Sequence, residues 1–408
     1  MSSRPYPVVT VNEKAARSLR AGHPWVYGAE TEGPDRPCAN GDLVDVVTKK
    51  GRWLGTGFLN DRSKIRVRLI SRNTNDRFDE AFWRRRVQYA LDYRMTVMGP
   101  DFPVSRLIFG EADQFPGLTA DLFGDILVTE VLSLGMETVK GLLYPILRGE
   151  LELRGIRLQA IYERNEAALR EKEGLPREKG FYALPGLETD LDGHVVITEN
   201  GVEYDVDYIE GQKTGFFLDQ KYNRRAAAAL AKGRRVLDCF THTGAFGLNC
   251  AKAGAERVTA VDISAAAVEL TRANIARNGL EDRMEAVQAD VFDLLTDLAG
   301  KGGHPYDCII LDPPAFTKSG ATVKNAYRGY KEINRRAMKL LPRGGYLATC
   351  SCSHFMTPAL FTQMLREAAA DAAVGLRQIE DRRQAPDHPI LWGVPETEYL
   401  KFYLFQVV

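Results

Sequence analysis

Short runs of alternating apolar and polar residues fill the first seventy positions of the chain. They predict strands at Val8–Val11, Trp25–Tyr27, Leu43–Thr48, Trp53–Leu59 and 65–70. After the first run, Asn12 is placed to cap a short helix through Arg20. Several short strands with little helix are typical of a small barrel, so residues 1–72 are expected to form an N-terminal β-barrel.

A helical period replaces this alternation after a short polar linker at residues 71–76. Segment 78–98 is amphipathic, and the apolar residues near its common face are Phe82, Val87, Leu91 and Met95. Further along, the pattern predicts a strand at 126–132, a helix at 137–149 and a strand at 158–163. Together these elements predict a middle α+β domain over residues 73–194.

From residue 195 onward, the pattern becomes a hairpin followed by alternating buried strands and helices. Asn200-Gly201 between two alternating runs is a strong signal for a type I′ turn. Helices are predicted at Ala245–Lys252, at 326–341 and, opened by Thr357-Pro358, through residue 373. The predicted strands are 236–238, Arg257–Asp262, one ending near 290, 306–312, 344–353, and an antiparallel edge pair at 376–379 and 400–407. The expected fold of residues 195–408 is a doubly wound α/β sheet.

Composition and charge narrow the class of protein. The chain has 408 residues and 45% hydrophobic residues, enough for two or three packed domains. Its six cysteines contain no Cys-x-x-Cys pair, so we expect no metal site and reduced thiols. The chain has no 18-residue apolar run or signal peptide, so we expect a soluble, cytoplasmic protein without membrane contact.

The distribution of charge matters more than its total. The formal net charge of the chain is zero, but residues 1–72 carry 13 Lys and Arg against 7 Asp and Glu, a net charge of +6. A basic module beside a more acidic one is typical of an appended nucleic-acid-binding domain. The alternative is a solvated basic face without a partner.

A nucleotide site is indicated at the first strand, turn and helix of the α/β region. The strand ends at Asp238, and Gly244 opens the helix, where the backbone can approach a ligand closely. A second strand ends at Asp262, the usual position for a carboxylate that takes both ribose hydroxyls. Because the loop has one key glycine and not the three of G-x-G-x-x-G, an adenosine cofactor without pyrophosphate fits best. S-adenosylmethionine (SAM) meets this description and NAD does not; a turn without a ligand is the alternative.

Later strands repeat this arrangement. Asp290, Asp312, Cys350 and Cys352 also fall at predicted strand ends, so they are expected to converge with Asp238 and Asp262 on one crevice. The series resembles the class I SAM-dependent methyltransferases.

A cysteine in this crevice suggests which atom is methylated. Carbon 5 of cytosine becomes nucleophilic only after a thiolate adds to carbon 6, which requires a cysteine beside the base. Asp312 would then hydrogen-bond the ring nitrogen and the exocyclic amine, while Pro313 and Pro314 stiffen the loop and Phe316 stacks on the base. Cys350 and Cys352 are two positions apart and would face the same way in a strand, so periodicity cannot choose between them.

Two resemblances to known families make the predicted function more specific. Asn12-Glu-Lys, Gly22-His-Pro-Trp-Val-Tyr27 and Gly41-Asp42 resemble the PUA domain, an RNA-binding barrel. The whole chain, through Thr241-His-Thr-Gly-Ala-Phe246, Asp312-Pro-Pro-Ala-Phe316 and Ser351-Cys-Ser353, resembles the ribosomal RNA large subunit methyltransferase I family. That resemblance implies methylation of cytosine carbon 5 in 23S ribosomal RNA, naked or in an early assembly intermediate, with Cys352 as the nucleophile. A homodimer is one assembly that it allows.

The resemblance also implies a set of contacts. Segment 211–224 would lie over the methionine end of SAM, with Asp219 at its amino group. The implied cofactor residues are Asp219, Gln220, Asp238, Phe240, Thr243, Gly244, Asp262, Ile263, Asp290, Val291 and Asp312. The implied substrate residues are Lys213, Arg224, Pro313, Pro314 and Phe316. For Lys213, Gln220 and Arg224, contact with the SAM carboxylate, contact with the RNA backbone, and a purely structural role all remain open.

At one position the sequence departs from related enzymes. Three other functions also compete with cytosine methylation as interpretations of the sequence. Many RNA cytosine-5 methyltransferases have a second cysteine where this chain has Pro314, so removal of the carbon 5 proton is left to water, Asp312 or His354. Methylation of a guanine nitrogen would need no cysteine. An RNA-binding assembly protein with a vestigial pocket would not need an intact Asp238, Gly244 and Asp262. A dehydrogenase would bind NAD.

Overall fold

The computed structural model describes residues 4–317 and 319–408, so residues 1–3 of the predicted barrel lie outside the described residues. The chain divides into two compact units. The first contains the chain up to Ile197 together with Val206–Leu218 and Pro386–Thr397, and the second contains Thr198–Asp205, Asp219–Ala385 and Glu398–Val408. The division into three domains stays a prediction. No helix in the described part of the chain is both long and apolar enough to span a membrane.

A six-stranded sheet opens the first unit. Its strands are β1 (Val8–Val11), β2 (Trp25–Tyr27), β3 (Thr31–Pro34), β4 (Leu43–Thr48), β5 (Trp53–Leu59) and β6 (Ile65–Ser71), in the order β2-β6-β5-β4-β1-β3. Helix α1 (Glu13–Arg20) is capped by the Asn12 side chain, which accepts from the Ala15 N–H at 3.0 Å, as predicted. Bulges in four strand pairs bend the sheet, and its apolar side chains share one buried cluster with α1.

A five-stranded sheet follows in the same unit. Its strands are β7 (Val104–Phe109), β8 (Leu118–Phe123), β9 (Ile126–Val131), β10 (Ala160–Asn165) and β11 (Glu178–Phe181), in the order β11-β10-β9-β8-β7. The helices are α2 (Glu80–Met98), α3 (Leu134–Leu153) and α4 (Leu169–Lys172). On α2, Phe82, Val87 and Leu91 are buried as predicted, but Met95 is 44% exposed and does not share their face. Strands β7, β8 and β11 were not predicted.

The predicted hairpin lies between the second and third sheets along the sequence. It consists of β12 (His194–Glu199) and β13 (Val202–Asp207). Asn200 and Gly201 have φ values of 53° and 78°. Both are positive, as a type I′ turn requires, so the Asn-Gly signal is confirmed.

The second unit contains a seven-stranded sheet with helices around it. The strands are β14 (Arg235–Cys239), β15 (Arg257–Asp262), β16 (Met284–Gln288), β17 (Cys308–Leu311), β18 (Tyr346–Ser351), β19 (Leu376–Arg382) and β20 (Lys401–Val407). The helices are α5 (Lys221–Ala228), α6 (Ala245–Lys252), α7 (Ala265–Arg277), α8 (Val291–Lys301), α9 (Val323–Leu340) and α10 (Pro358–Ala372).

The order of these strands, β16-β15-β14-β17-β18-β20-β19, is that of a doubly wound sheet. The first five are parallel, and β20 and β19 close the edge as an antiparallel pair. Strand order reverses between β14 and β17, which are neighbours in the sheet. The crevice beyond the carboxyl ends of such a pair is where ligands bind in this class of fold.

Candidate functional site

The acidic residues predicted at strand ends do lie at the carboxyl edge of the parallel strands. Asp238 is the fourth residue of β14, Asp262 ends β15, and Asp312 follows β17 directly. Asp290 lies beyond β16 and is the N-cap of α8 rather than a strand residue. Asp262 and Asp312 are close enough to Asp238 for both charges to raise its pKa, so this edge concentrates negative charge.

The loop between β14 and α6 has an unusual backbone. Phe240 and His242 have φ values of 62° and 53°, in the left-handed region that few non-glycine residues occupy. Gly244 follows with φ 81°, and a Cβ there would lie 2.7 Å from Cγ2 of Thr271. Strained loops of this kind concentrate at ligand sites, and Gly244 is required both by its φ and by the close approach of α7.

Asp238 is fully buried beneath this loop. Its Oδ2 accepts from the Thr241 hydroxyl at 2.5 Å and from the Gly247 N–H at 2.8 Å. Its Oδ1 is buried without a hydrogen-bond partner among the described residues. Burial raises the pKa of Asp238 to about 7 because desolvation disfavours the charged form. A buried carboxylate with an unused oxygen can accept from a ligand that brings a donor, above all a cationic one.

The next two strands carry carboxylates that also organise the backbone. Asp262 accepts from the N–H groups of His242 and Ser264 at 3.0 and 2.9 Å, one on each oxygen. Ile263 beside it is 65% exposed, which offers an apolar surface at the crevice. Asp290 Oδ1 accepts from the Phe292 N–H at 2.7 Å, so this carboxylate caps α8.

The remaining predicted cofactor residues lie in or next to these elements. Thr243 is buried in the loop, and its carbonyl accepts from the side chain of Asn274 at 3.0 Å. Val291 is buried in the first turn of α8. Their contacts with a cofactor stay predictions.

Gln220 joins two of the predicted strand ends. Its side-chain N–H groups lie 3.2 Å from Asp312 Oδ1 and 3.5 Å from Cys350 Sγ. The Cys350 thiol donates in turn to Asp312 Oδ1 at 3.1 Å. The neighbouring Asp219 is buried, and its Oδ2 accepts from the Tyr399 hydroxyl at 2.6 Å. Tyr399 comes from near the end of the chain, and no sequence pattern marked it.

The two cysteines of the fifth strand have different surroundings. Cys350 lies within β18 and is completely buried, and burial beside Asp312 raises its pKa well above 9. Cys352 lies one residue beyond the end of β18 and is half-buried. Cys352 therefore lies outside the strand that contains Cys350, and the two thiols differ in burial.

The predicted substrate residues are not equally available. Arg224 is buried and forms a two-point ion pair with Glu199 at 2.6 and 2.9 Å. Phe316 packs on Tyr330, with ring centroids 4.6 Å apart, at the border of the core. These contacts favour structural roles for both residues.

The other three predicted substrate residues differ in exposure and in location. Pro313 is buried and Pro314 is exposed in the loop after β17. Lys213 belongs to the first unit, where its Nζ lies 4.4 Å from the Phe217 ring centroid. Their roles toward a substrate stay predictions.

Comparison with protein families gives two matches. Residues 186–406, more than half of the chain, match the S-adenosylmethionine-dependent methyltransferases. Residues 9–72, which contain all but the first residue of the six-stranded sheet, match a PUA-like domain.

Curated relatives match over nearly the full length. The chain is 41% identical to the ribosomal RNA large subunit methyltransferase I of Shewanella denitrificans, over 94% of this chain and 95% of that protein. It is 36% identical to the protein of the same name from Klebsiella pneumoniae, over 100% of both.

Solved structures support the same fold. A Streptococcus mutans protein described as a SAM-dependent methyltransferase has a TM-score of 0.81 at 21% identity, covering 98% of this chain and 100% of that chain. SMU.776, solved with SAH, has a TM-score of 0.82 at 21% identity and the same coverage.

Proposed function

Because this chain belongs to the S-adenosylmethionine-dependent methyltransferases, in the family of ribosomal RNA large subunit methyltransferase I, we propose that it methylates carbon 5 of a cytosine in 23S ribosomal RNA. The nucleophile in this proposal is Cys352. The observation that carries it is the contrast between the half-buried Cys352 and the fully buried Cys350.

The charge of the crevice suits SAM. SAM carries a sulfonium and an ammonium, and the carboxylates of Asp262 and Asp312 lie close enough to act electrostatically on that of Asp238. The Oδ1 of Asp238, which accepts from no described residue, suits an ammonium donor, and Asp219 is the second carboxylate that we assign to this end. A pyrophosphate cofactor would place anions against these acids, so the same charges argue against a dehydrogenase.

The adenosine half would occupy the ends of β15 and β16. Asp262 is placed to accept from ribose hydroxyls while it holds His242 and Ser264. Exposed Ile263 would lie against the adenine ring, and Asp290 would face its amino group. Gly244 provides the close backbone approach.

Cys352 is the better nucleophile on two grounds. The thiolate is the reactive form, and the pKa of Cys350 is held well above 9 by burial and by Asp312. Cys350 also has no exposed surface, whereas the Cys352 thiol lies at the end of the strand, where a base could reach it. The role that fits Cys350 is to donate to Asp312 and hold that carboxylate in place.

In the proposed reaction, the Cys352 thiolate forms a bond to carbon 6 of the cytosine and makes carbon 5 an enamine carbon. Asp312 holds the ring nitrogen and the exocyclic amine. SAM supplies the methyl group as an electrophile, and its sulfur keeps the electron pair of the broken bond. Loss of the carbon 5 proton then expels the thiolate and restores the aromatic ring. Water, Asp312 and exposed His354 are the candidate bases.

RNA binding is assigned to the PUA-like domain. Residues 1–72, which include it, carry a net charge of +6. We retain the division into this domain, a middle domain over 73–194 and a methyltransferase domain over 195–408. The target base must leave any stack to enter the crevice, so naked RNA or an early assembly intermediate is the favoured substrate. Because ribosomal RNA is modified where ribosomes are assembled, we propose the cytoplasm as the place of action.

The nucleophile is tested by substitution and by trapping. Cys352→Ala should abolish methylation of RNA and leave SAM affinity unchanged, since the thiol contacts the base. Cys350→Ser, which keeps a donor to Asp312, is the matched control and should retain most activity. RNA containing 5-fluorocytosine should form a covalent complex with the wild type and not with Cys352→Ala, because fluorine cannot leave as a proton. A Cys352→Ala enzyme that still methylates RNA would favour a guanine nitrogen as the acceptor.

A further inference from the structure

A lysine from the last strand lies beside the loop that carries Cys352. Lys401 is the first residue of β20, and it pairs with Ser351 in the antiparallel ladder of β18 and β20. It is only 2% exposed. No pattern in the sequence separates it from an ordinary strand residue.

The ammonium of Lys401 is held by two backbone carbonyls, one in the loop that carries Cys352 and one just before β20. Its Nζ donates to the carbonyl of Ser353 at 2.6 Å and to the carbonyl of Tyr399 at 2.7 Å. Ser353 is the residue after Cys352, and its hydroxyl donates to the carbonyl of Thr317 at 2.8 Å. Lys401 therefore ties the Cys352 loop to β20, and Ser353 ties the same loop to the segment that follows Asp312-Pro-Pro.

Besides Cys352, the charged or titratable groups that act on Lys401 are Arg383, Glu398 and Cys350. Arg383 forms a 2.9 Å ion pair with Glu398, so those two charges largely compensate. Cys350 is buried with a raised pKa and stays neutral. The pKa of Lys401 is lowered to about 8 by burial, while the charge of Cys352 acts in the opposite direction. The two groups therefore interact electrostatically, each favouring the charged form of the other.

We propose that Lys401 is a positioning residue for methyl transfer: it fixes the Cys352 loop and stabilises Cys352 as a thiolate. This inference rests on the proposed role of Cys352. The thiol proton leaves to water, and Lys401 is not the base that removes it. An isolated half-buried thiol would be mostly protonated at neutral pH. A buried cation whose ammonium is held by two backbone carbonyls therefore supplies what this nucleophile needs.

The test is the pH profile of Cys352 alkylation by iodoacetamide, measured on the full chain. Subtracting the rate of Cys352→Ser removes the contribution of the other thiols. Wild-type Cys352 should titrate below the ordinary thiol pKa of about 8.5. In Lys401→Met the midpoint should rise by about one pH unit, so alkylation at pH 7 should be about tenfold slower and at pH 10 unchanged. Lys401→Arg should restore most of the rate at pH 7.

Two further measurements distinguish a specific effect of Lys401 from a general loss of charge and from misfolding. Lys252→Met removes an exposed lysine from the far end of α6 and should change nothing. SAM affinity reports whether each variant is folded, and if Lys401→Met is not, Lys401→Gln retains donors for both carbonyls. A wild-type midpoint at or above 8.5, or a Lys401→Met profile equal to that of the wild type, overturns the proposal. Methylation by Cys352→Ala would instead overturn the proposed function and leave the alkylation result standing.

Discussion

Affinity for SAM should depend on pH through Asp238. Its pKa in the ligand-free protein is about 7, so about one tenth of the molecules are ionised at pH 6 and about half at pH 7. If the SAM ammonium binds only the carboxylate form, affinity should be about fivefold weaker at pH 6 than at pH 7. Below pH 6 it should fall about tenfold per unit. The ammonium itself, with a pKa near 7.7–8.0, stays protonated over this window.

Isothermal titration calorimetry of the full chain between pH 5 and 7 measures this dependence. Asp238→Asn keeps an oxygen that can accept from Thr241 and Gly247 and loses the charge, so its weaker binding should be independent of pH. Methylthioadenosine, which lacks the amino acid half, is the matched ligand and should bind the wild type without the slope. A flat profile for SAM, or the same slope in Asp238→Asn, would refute the assignment of Asp238 to the ammonium.

The same pKa shift has a consequence for the ligand-free protein. The folded pKa of Asp238 lies above the ordinary aspartate value of 3.8, so the protonated form stabilises the fold below about pH 4. That contribution is lost as pH rises through about 7. A shift of about three units corresponds to about 4 kcal/mol. Asp238→Asn should therefore raise the melting temperature at pH 8 and leave it nearly unchanged at pH 4.

Three further variants test other parts of the molecule. Asp262→Ala should weaken SAM binding by about 1.5–3 kcal/mol, the range for hydrogen bonds to a charged group, and unchanged affinity would remove it from the ribose site. Gly244→Ala should destabilise the loop by about 1–2 kcal/mol, because φ is 81° and the new Cβ would lie 2.7 Å from Thr271; an unchanged melting temperature would contradict this. Replacing exposed Lys49 and Lys50 by Glu should lower RNA affinity and flatten its salt dependence by about 0.7 for each phosphate that the variant no longer neutralises. A full salt slope would place the RNA surface elsewhere.

Local signals in the sequence predicted much of the fold because they report short-range preferences. Asn12 as a helix cap, Asn200-Gly201 as a type I′ turn and Thr357-Pro358 as a helix start are all present as predicted. Each depends on a few neighbouring dihedral angles and hydrogen bonds. The strands β3, β7, β8 and β11 were missed because their patterns are short or lack clear alternation, and pairing with neighbouring strands stabilises them.

The positions of the acids at strand ends were also readable from the sequence. A buried run that stops at a carboxylate marks the edge of a parallel sheet, which is why the amino-acid pattern alone groups Asp238, Asp262 and Asp312. Burial could not be read in the same way. The pKa of Asp238 depends on desolvation by the loop and helix above it, which no local pattern reveals.

The sequence by itself determined most strands and helices of the α/β region and the acidic residues at the strand ends, because hydrophobic period and turn residues act over a few positions. Only the tertiary structure decided which cysteine is accessible, since β18 ends between Cys350 and Cys352. It also decided that Arg224 is paired with Glu199 and that Lys401, about fifty residues after Cys352, donates to the backbone of the loop that carries Cys352. These facts depend on burial and on pairing between segments far apart in the chain, which are properties of the packed molecule.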